Sequence, residues 1–230
     1  MSVMLKNGSV FLHIPKTGGK WIENALDELS LKKYKFSHNH ADMDRTVNFA
    51  GHYPTYFMRK IVKHGPFVHR NIRDAFKFCF VRHPLKYYES YFKYAWSLDW
   101  PEFPGLDVHS KTDKWHPNSV LFDIGDKDFN QFIRNVIKKR PGYVTELYGS
   151  FATPDIDFIG KTENLVEDFI NVLHLMKVDF DEQYVRDLKP VNVSKKPSNP
   201  IKWDPKLKEE ILKIEYPALV KYGYVDADID

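Results

Sequence analysis

Ser9-Val-Phe-Leu-His-Ile-Pro-Lys-Thr-Gly-Gly-Lys20 is the stretch on which the fold turns. Ser9 to Ile14 is a short apolar run rich in strand formers, and Pro15-Lys-Thr-Gly-Gly19 breaks it. Trp21, Ile22, Ala25, Leu26 and Leu29 then recur at helical spacing. The order is strand, tight loop, helix. Glycines between a strand and a helix let backbone N–H groups converge on an anion. The helix N-terminus adds the positive end of its dipole, and Lys16 adds a point charge. A loop of this kind cradles phosphate or sulfate.

Two further units repeat the pattern. Phe76-Lys-Phe-Cys-Phe-Val81 reads as a strand, Arg82-His-Pro84 as a turn, and Leu85 to Trp96 as a helix with Pro84 suited to its first turn. Ile156-Asp-Phe-Ile-Gly160 reads as a third strand. Lys161-Thr-Glu-Asn164 opens a helix through about Met176, with Leu165, Phe169, Val172 and Leu173 on one face. Alternating strands and helices predict an α/β fold, a three-layer sandwich around a central, mainly parallel sheet, in a single domain over 1–230. Residues 97–125 hold Pro101, Pro104, Gly105, Pro117 and Gly125 and show no sustained period, so they read as an irregular insertion. Helical spacing resumes over Asp128–Lys139. Residues 191–200 read as an irregular basic loop, and a last helix runs from about Pro205 to Tyr222.

Composition narrows the function classes. A chain of 230 residues, 43% hydrophobic and 28% charged, is long enough for one well-cored globular domain. The 15% aromatic share is high and offers ring faces for a base or a sugar. A net charge of +3 is too small to argue for nucleic acid. Its distribution is uneven, however: nine Lys or Arg lie between Arg59 and Lys93 against Asp74 and Glu89 alone, and Lys195 to Lys208 is a second basic stretch. Concentrated positive charge suits a polyanionic ligand. Cys79 is the one cysteine, which excludes an intrachain disulfide and fits a reducing compartment. No apolar run approaches the ~20 residues of a membrane span, and Met1-Ser-Val-Met-Leu-Lys-Asn7 lacks the apolar stretch of a signal peptide. A cytoplasmic location is expected.

The loop is not a nucleoside-triphosphate loop of the G-x-x-x-x-G-K-[ST] kind. If Gly19-Lys20 supplied the G-K pair, the leading glycine would fall on Ile14 and the Mg²⁺-binding hydroxyl on Trp21. Pro15, Lys16, Thr17, Gly18 and Gly19 instead resemble the 5′-phosphosulfate loop of the sulfotransferase family, and Phe-Leu-His-Ile14 resembles the strand entering it in the carbohydrate-type enzymes. Lys20 and Trp21 depart from the pattern, which has hydroxyl residues there; Lys20 offers charge in place of a hydroxyl. Phe80-Val-Arg-His-Pro-Leu-Lys-Tyr-Tyr-Glu-Ser90 resembles the family's 3′-phosphate motif, with Arg82 at a strand end and Ser90 about two turns into the next helix. Ile156 to Leu165 and Asn192-Val-Ser-Lys-Lys196 resemble, respectively, the family's third strand with its helix start and the loop that closes over the donor.

The resemblance implies a P-loop-like sulfotransferase fold and transfer of a sulfuryl group from 3′-phosphoadenosine 5′-phosphosulfate (PAPS) to an acceptor hydroxyl, leaving adenosine 3′,5′-bisphosphate (PAP), with no metal. Lys16, Thr17, Gly18, Gly19, Lys20, Arg82, Ser90, Lys195 and Lys196 are then the donor-binding residues. Lys16 is also the cation beside the bridging oxygen. Ala50-Gly-His-Tyr-Pro54 resembles the segment carrying the catalytic histidine of heparan sulfate 2-O-sulfotransferase-like enzymes, which makes His52 the candidate base, with Glu23 and Glu163 as carboxylate alternatives. In motif style the carbohydrate enzymes are the nearest branch, so a glycan or glycolipid acceptor is expected. Of the aromatic run from Tyr87 to Trp100, most rings read as packing, while Trp96 and Trp100 are candidate acceptor contacts. His38-Asn-His-Ala-Asp42 has loose metal-ligand spacing and reads better as a polar turn. A P-loop kinase and a non-catalytic binder of anionic glycans stay open as other readings.

Overall fold

The structure, a computed structural model, describes residues 2–36, 40–47, 72–96, 117–191 and 201–226. Strand β1 (Ser2–Leu5) turns at Gly8, where φ is 90°, and runs back as β2 (Val10–Leu12), with Val3 opposite Phe11. Strand β3 (Lys32–Phe36) pairs antiparallel with the other edge of β1. Strand β4 (Lys77–Val81) lies parallel to β2, with Phe11 opposite Phe78, and β5 (Phe158–Lys161) completes the order β3-β1-β2-β4-β5. The α/β class is as expected, and the sheet is mixed: β1 and β3 add antiparallel pairings to the β2–β4 parallel pair. Every residue of β1, β2 and β4 is buried, which is why β2 and β4 read as largely apolar runs.

The helices, in chain order, are α1 (Gly19–Glu28), α2 (Met43–Val47), α3 (Pro84–Trp96), α4 (Ser119–Phe122), α5 (Phe129–Lys139), α6 (Tyr143–Phe151), α7 (Leu165–Leu175), α8 (Glu182–Asp187), α9 (Pro205–Ile214) and α10 (Tyr216–Lys221). Helix α7 follows a 3-10 turn at Thr162–Asn164. Asp128, Asp181 and Asp204 cap α5, α8 and α9 through their carboxylates. The single helix expected near the end is two, α9 and α10, meeting at Glu215. Of the expected insertion, 97–116 lie outside the described residues, and α4 falls within the remainder.

The chain forms two compact units, each drawn from separated stretches. The first comprises Met1–Ile14, Gly18–Phe80 and Ser150–Val191; the second comprises Pro15–Thr17, Val81–Gly149 and Asn192–Asp230. In the first, Val3, Leu5, Phe11, Phe78 and Phe80 form one face of the sheet. That face packs on Trp21, Ile22, Ala25 and Leu26 of α1, on Phe169, Ile170, Val172 and Leu173 of α7, and on Val185 of α8.

The second unit is an aromatic assembly of α3, α5, α6, α9 and α10. Phe92 stacks on Phe132 and meets Phe129 edge to face, and Phe129 meets Trp203 at 4.8 Å. At its centre Glu215, fully buried, accepts hydrogen bonds from Tyr88 Oη (2.6 Å), the Val144 N–H (3.1 Å), the Thr145 N–H (2.8 Å) and Thr145 Oγ1 (2.7 Å). One carboxylate thus caps the first turn of α6 and ties it to α3. Burial first, then Glu215, pushes the Tyr88 phenol well above its ordinary range. Glu215→Ala strands these buried donors and is expected to cost about 3 kcal/mol, seen as a lower urea midpoint at unchanged m-value.

Candidate functional site

The segment Pro15–Thr17 is the turn that follows β2, and its backbone is unusual. Lys16 has φ of 67°, a left-handed conformation that costs a non-glycine residue about 1 kcal/mol or more. In that conformation the Lys16 carbonyl accepts a hydrogen bond from Arg82 Nη1 at 3.3 Å. Arg82 directly follows β4. Because β2 and β4 are parallel, both turns leave the sheet from the same edge, the geometry that gathers ligand groups in open α/β sheets.

Arg82 is held at its backbone. Its N–H donates to Tyr148 Oη at 3.1 Å, and the Tyr148 hydroxyl donates to the Arg82 carbonyl at 2.8 Å. Tyr148, from α6, is fully buried. The adjacent His83 is the cap of α3: its Nδ1 accepts from the Leu85 N–H at 3.1 Å. Burial, followed by Lys86 and Lys208, lowers the His83 imidazole to about 4, so near neutral pH it is the uncharged acceptor that the cap requires.

The result is two cations side by side. Neither Lys16 nor Arg82 forms an ion pair with a carboxylate among the described residues, and Arg82 Nε is buried with no hydrogen-bond partner. Burial first, then the Arg82 charge, lowers the Lys16 ammonium to about 8. The ammonium rests 4.2 Å above the Tyr94 ring of α3. Two neighbouring positive groups with an unfilled buried donor are an arrangement that an anion would satisfy.

Continuing the chain, Gly18 (φ 80°) starts α1, which has no side-chain cap and no acidic residue in its first turn. Its leading N–H groups therefore carry an uncompensated positive field. A Cβ on Gly19 would lie 2.0 Å from His13 Cδ2, so the first turn of α1 sits directly on the His13 ring. His13 Nδ1–H donates to Glu23 Oε1 at 2.8 Å, and Lys35 Nζ donates to Glu23 Oε2 at 2.5 Å. Burial pushes Glu23 up, but the His13 and Lys35 hydrogen bonds outweigh it and hold the carboxyl well below the usual carboxylate range. Burial keeps His13 below its ordinary value of 6.5, opposed in part by Glu23. Glu23 is thus committed to the support of the loop.

Ser90 is half-buried on α3, one turn before Tyr94. Thr17 is buried and Lys20 exposed. Trp96 stacks on Phe92 (centroids 6.1 Å apart), and Glu163 is exposed on the 3-10 turn. In the expected polar turn, His40 Nδ1 hydrogen-bonds the His13 carbonyl at 2.9 Å, and Asp42 receives the Arg45 N–H at 2.8 Å and pairs with the Arg45 side chain. His38, His52, Trp100, Lys195 and Lys196 lie outside the described residues. Two residues of the site, Tyr94 and Tyr148, carry no sequence signal that separates them from the packing aromatics around them.

The chain is α/β, with Lys16 and Arg82 in the turns that follow two parallel strands. Residues 3–214 match the Sulfotransferase family, and the chain belongs to that family. It is a sulfuryl-transferring enzyme by family. No curated protein sequence matches it closely enough to count as a relative. Among solved structures, a sulfotransferase from Alicyclobacillus acidocaldarius is similar at 12% identity over 95% of this chain and 87% of that one, with a TM-score of 0.36.

The His13–Glu23 support has a pH signature. His13 binds its proton less well folded than unfolded, and so does Glu23. Both contributions are present above the unfolded values, near 6.5 and 4.5 respectively, and are lost as pH falls below them. Stability should decline from about pH 6.5, and Glu23→Gln should flatten the part of the decline below pH 4.5, read from urea midpoints against pH. Gly19→Ala, which drives a methyl into the His13 ring, should cost about 2 kcal/mol.

Proposed function

We propose that this chain transfers the sulfuryl group of PAPS to a hydroxyl of a carbohydrate or glycolipid, in the cytoplasm and as a single catalytic domain. The observation that carries the reading is the Lys16–Arg82 pair: two adjacent cations, unpaired among the described residues, with a buried Arg82 Nε unfilled. A doubly phosphorylated nucleotide has the charge and the spread of acceptors to satisfy both. When bound, PAPS supplies an activated sulfuryl group whose leaving group is a phosphate.

The roles are those that the family resemblance implies, with charge in support at Lys16 and Arg82. Arg82, with Ser90, holds the 3′-phosphate, the guanidinium by a permanent fork of donors. The start of α1 and Lys20 hold the 5′-phosphate, with Thr17, Gly18 and Gly19 bringing backbone donors close. Lys195 and Lys196 add charge over the nucleotide. Lys16 neutralises the bridging oxygen as its bond to sulfur breaks, and His52 takes the acceptor hydroxyl's proton as the oxygen bonds to sulfur. Trp96 and Trp100 offer faces to the acceptor. Glu23 is a poor alternative base: its oxygens are taken by His13 and Lys35 and its proton affinity is low. Glu163, the other carboxylate alternative, is exposed on the 3-10 turn.

PAP at ~100 times its dissociation constant should stabilise the protein by about 2.7 kcal/mol in thermal unfolding, and ATP–Mg²⁺ should do less. Arg82→Ala should abolish that preference. His52→Ala should keep it while lowering transfer of labelled sulfate to a glycan and lipid panel by roughly 10²–10⁴-fold. A preference for ATP–Mg²⁺ would point to a kinase instead. Undiminished PAP binding with no transfer by wild type to any acceptor would point to a binding protein.

A further inference from the structure

Lys16 works in the proposed reaction only as an ammonium ion, yet its surroundings favour the neutral amine. Most of its side chain is out of water, and the Arg82 guanidinium, whose Nη1 touches the Lys16 carbonyl, repels its charge. Among the described residues, Arg82 is the charged group that acts on it, and no carboxylate is set against it. What does favour the charged form is one ring face: Tyr94, 4.2 Å beneath the ammonium.

Tyr94 is not placed there by core packing. Its helix α3 buries Tyr87, Tyr88, Tyr91, Phe92 and Ala95, whereas Tyr94 is 45% exposed. It lies one helical turn beyond Ser90 on the same face, because positions four apart align along a helix. One helix therefore turns its aromatic seam into the core of the second unit and presents the Tyr94 ring to the lysine of the loop.

We propose that Tyr94 is a positioning residue for Lys16: its ring face seats the ammonium, keeps it charged in the free enzyme, and thereby sets the upper pH limit for productive donor binding. The proposal rests on the sulfotransferase reading for its consequence in catalysis, but not for its physical content. The ring quadrupole attracts a cation and is indifferent to an amine, so it raises the proton affinity of Lys16 against burial and Arg82. An incoming phosphosulfate then meets a charged donor already aimed, rather than an amine that must first collect a proton. Activity governed by an ammonium is full below its pKa and falls as pH rises through it. Removing the ring lowers that pKa and moves the fall to lower pH.

The test titrates Lys16 directly. The full-length protein without nucleotide is labelled with ¹³C at lysine Cε, and the Lys16 signal is identified by its loss in Lys16→Met. In Tyr94→Leu and in Tyr94→Gln the Lys16 titration should drop by about 1 pH unit, the equivalent of a partly desolvated cation–π contact. In Tyr94→Phe, which keeps the ring and removes the hydroxyl, Lys16 should titrate as in wild type. The basic limb of kcat/KM for PAPS, which reports the free enzyme, should move down by the same amount in the two ringless variants. Unchanged Lys16 titration in them overturns the proposal, and so does an equal shift in Tyr94→Phe, which would assign the effect to the hydroxyl. A shifted basic limb without a shifted Lys16 also overturns it. The expected Lys16 shift in a protein that transfers no sulfate leaves the Tyr94 seat standing and removes the sulfotransferase reading.

Discussion

The hydrogen bond from Arg82 Nη1 to the Lys16 carbonyl is the contact around which the candidate site is arranged. It brings a guanidinium and an ammonium into the same desolvated space, where like charges repel and neither is repaid by a carboxylate among the described residues. A protein selected only for stability has no reason to keep such a pair, since two like charges held partly out of water with no opposite charge beside them are destabilising. The pair persists because its surroundings over-determine it. Tyr148 grips the Arg82 backbone at both its N–H and its carbonyl, Lys16 accepts a left-handed backbone, and His83 fixes the start of the next helix as a neutral cap.

Beneath the loop the logic is different. His13 and Glu23 are polar groups in an apolar layer, and they are tolerated because each satisfies the other, with Lys35 completing the set. Their ring and carboxylate form a rigid floor for the first turn of α1, with Gly19 so close to the imidazole that no side chain fits. In the second unit Glu215 has the same function for α6, the helix that carries Tyr148. Each unit thus uses one buried carboxylate in support of a helix start.

Much of the fold was legible in the sequence. Strands β2, β4 and β5 are short apolar runs ending at turn residues, and α3, α5, α7 and α9 show their period directly. Strand β3 was not legible because Lys-Lys-Tyr-Lys-Phe36 is an edge strand, where lysines guard an open side and no alternation survives. Strand β1 was passed over because four residues before a turn look like an approach to the strand that follows.

Lys16 and Arg82 stood out as charged residues at strand ends because the alternation of strand, turn and helix is written locally, residue by residue. That alternation, the loop between Ile14 and Gly19 and the positive charge of both turns were determined by the sequence alone. Tyr148, Tyr94, and the partnership of His13 with Glu23 and Lys35 were decided by tertiary structure, and so was the role of Glu215. Each is an ordinary residue in its own neighbourhood. What sets it apart is an atom brought to it by a different segment, at a separation along the chain over which no periodicity extends and where only the packing of helices and strands fixes the distance.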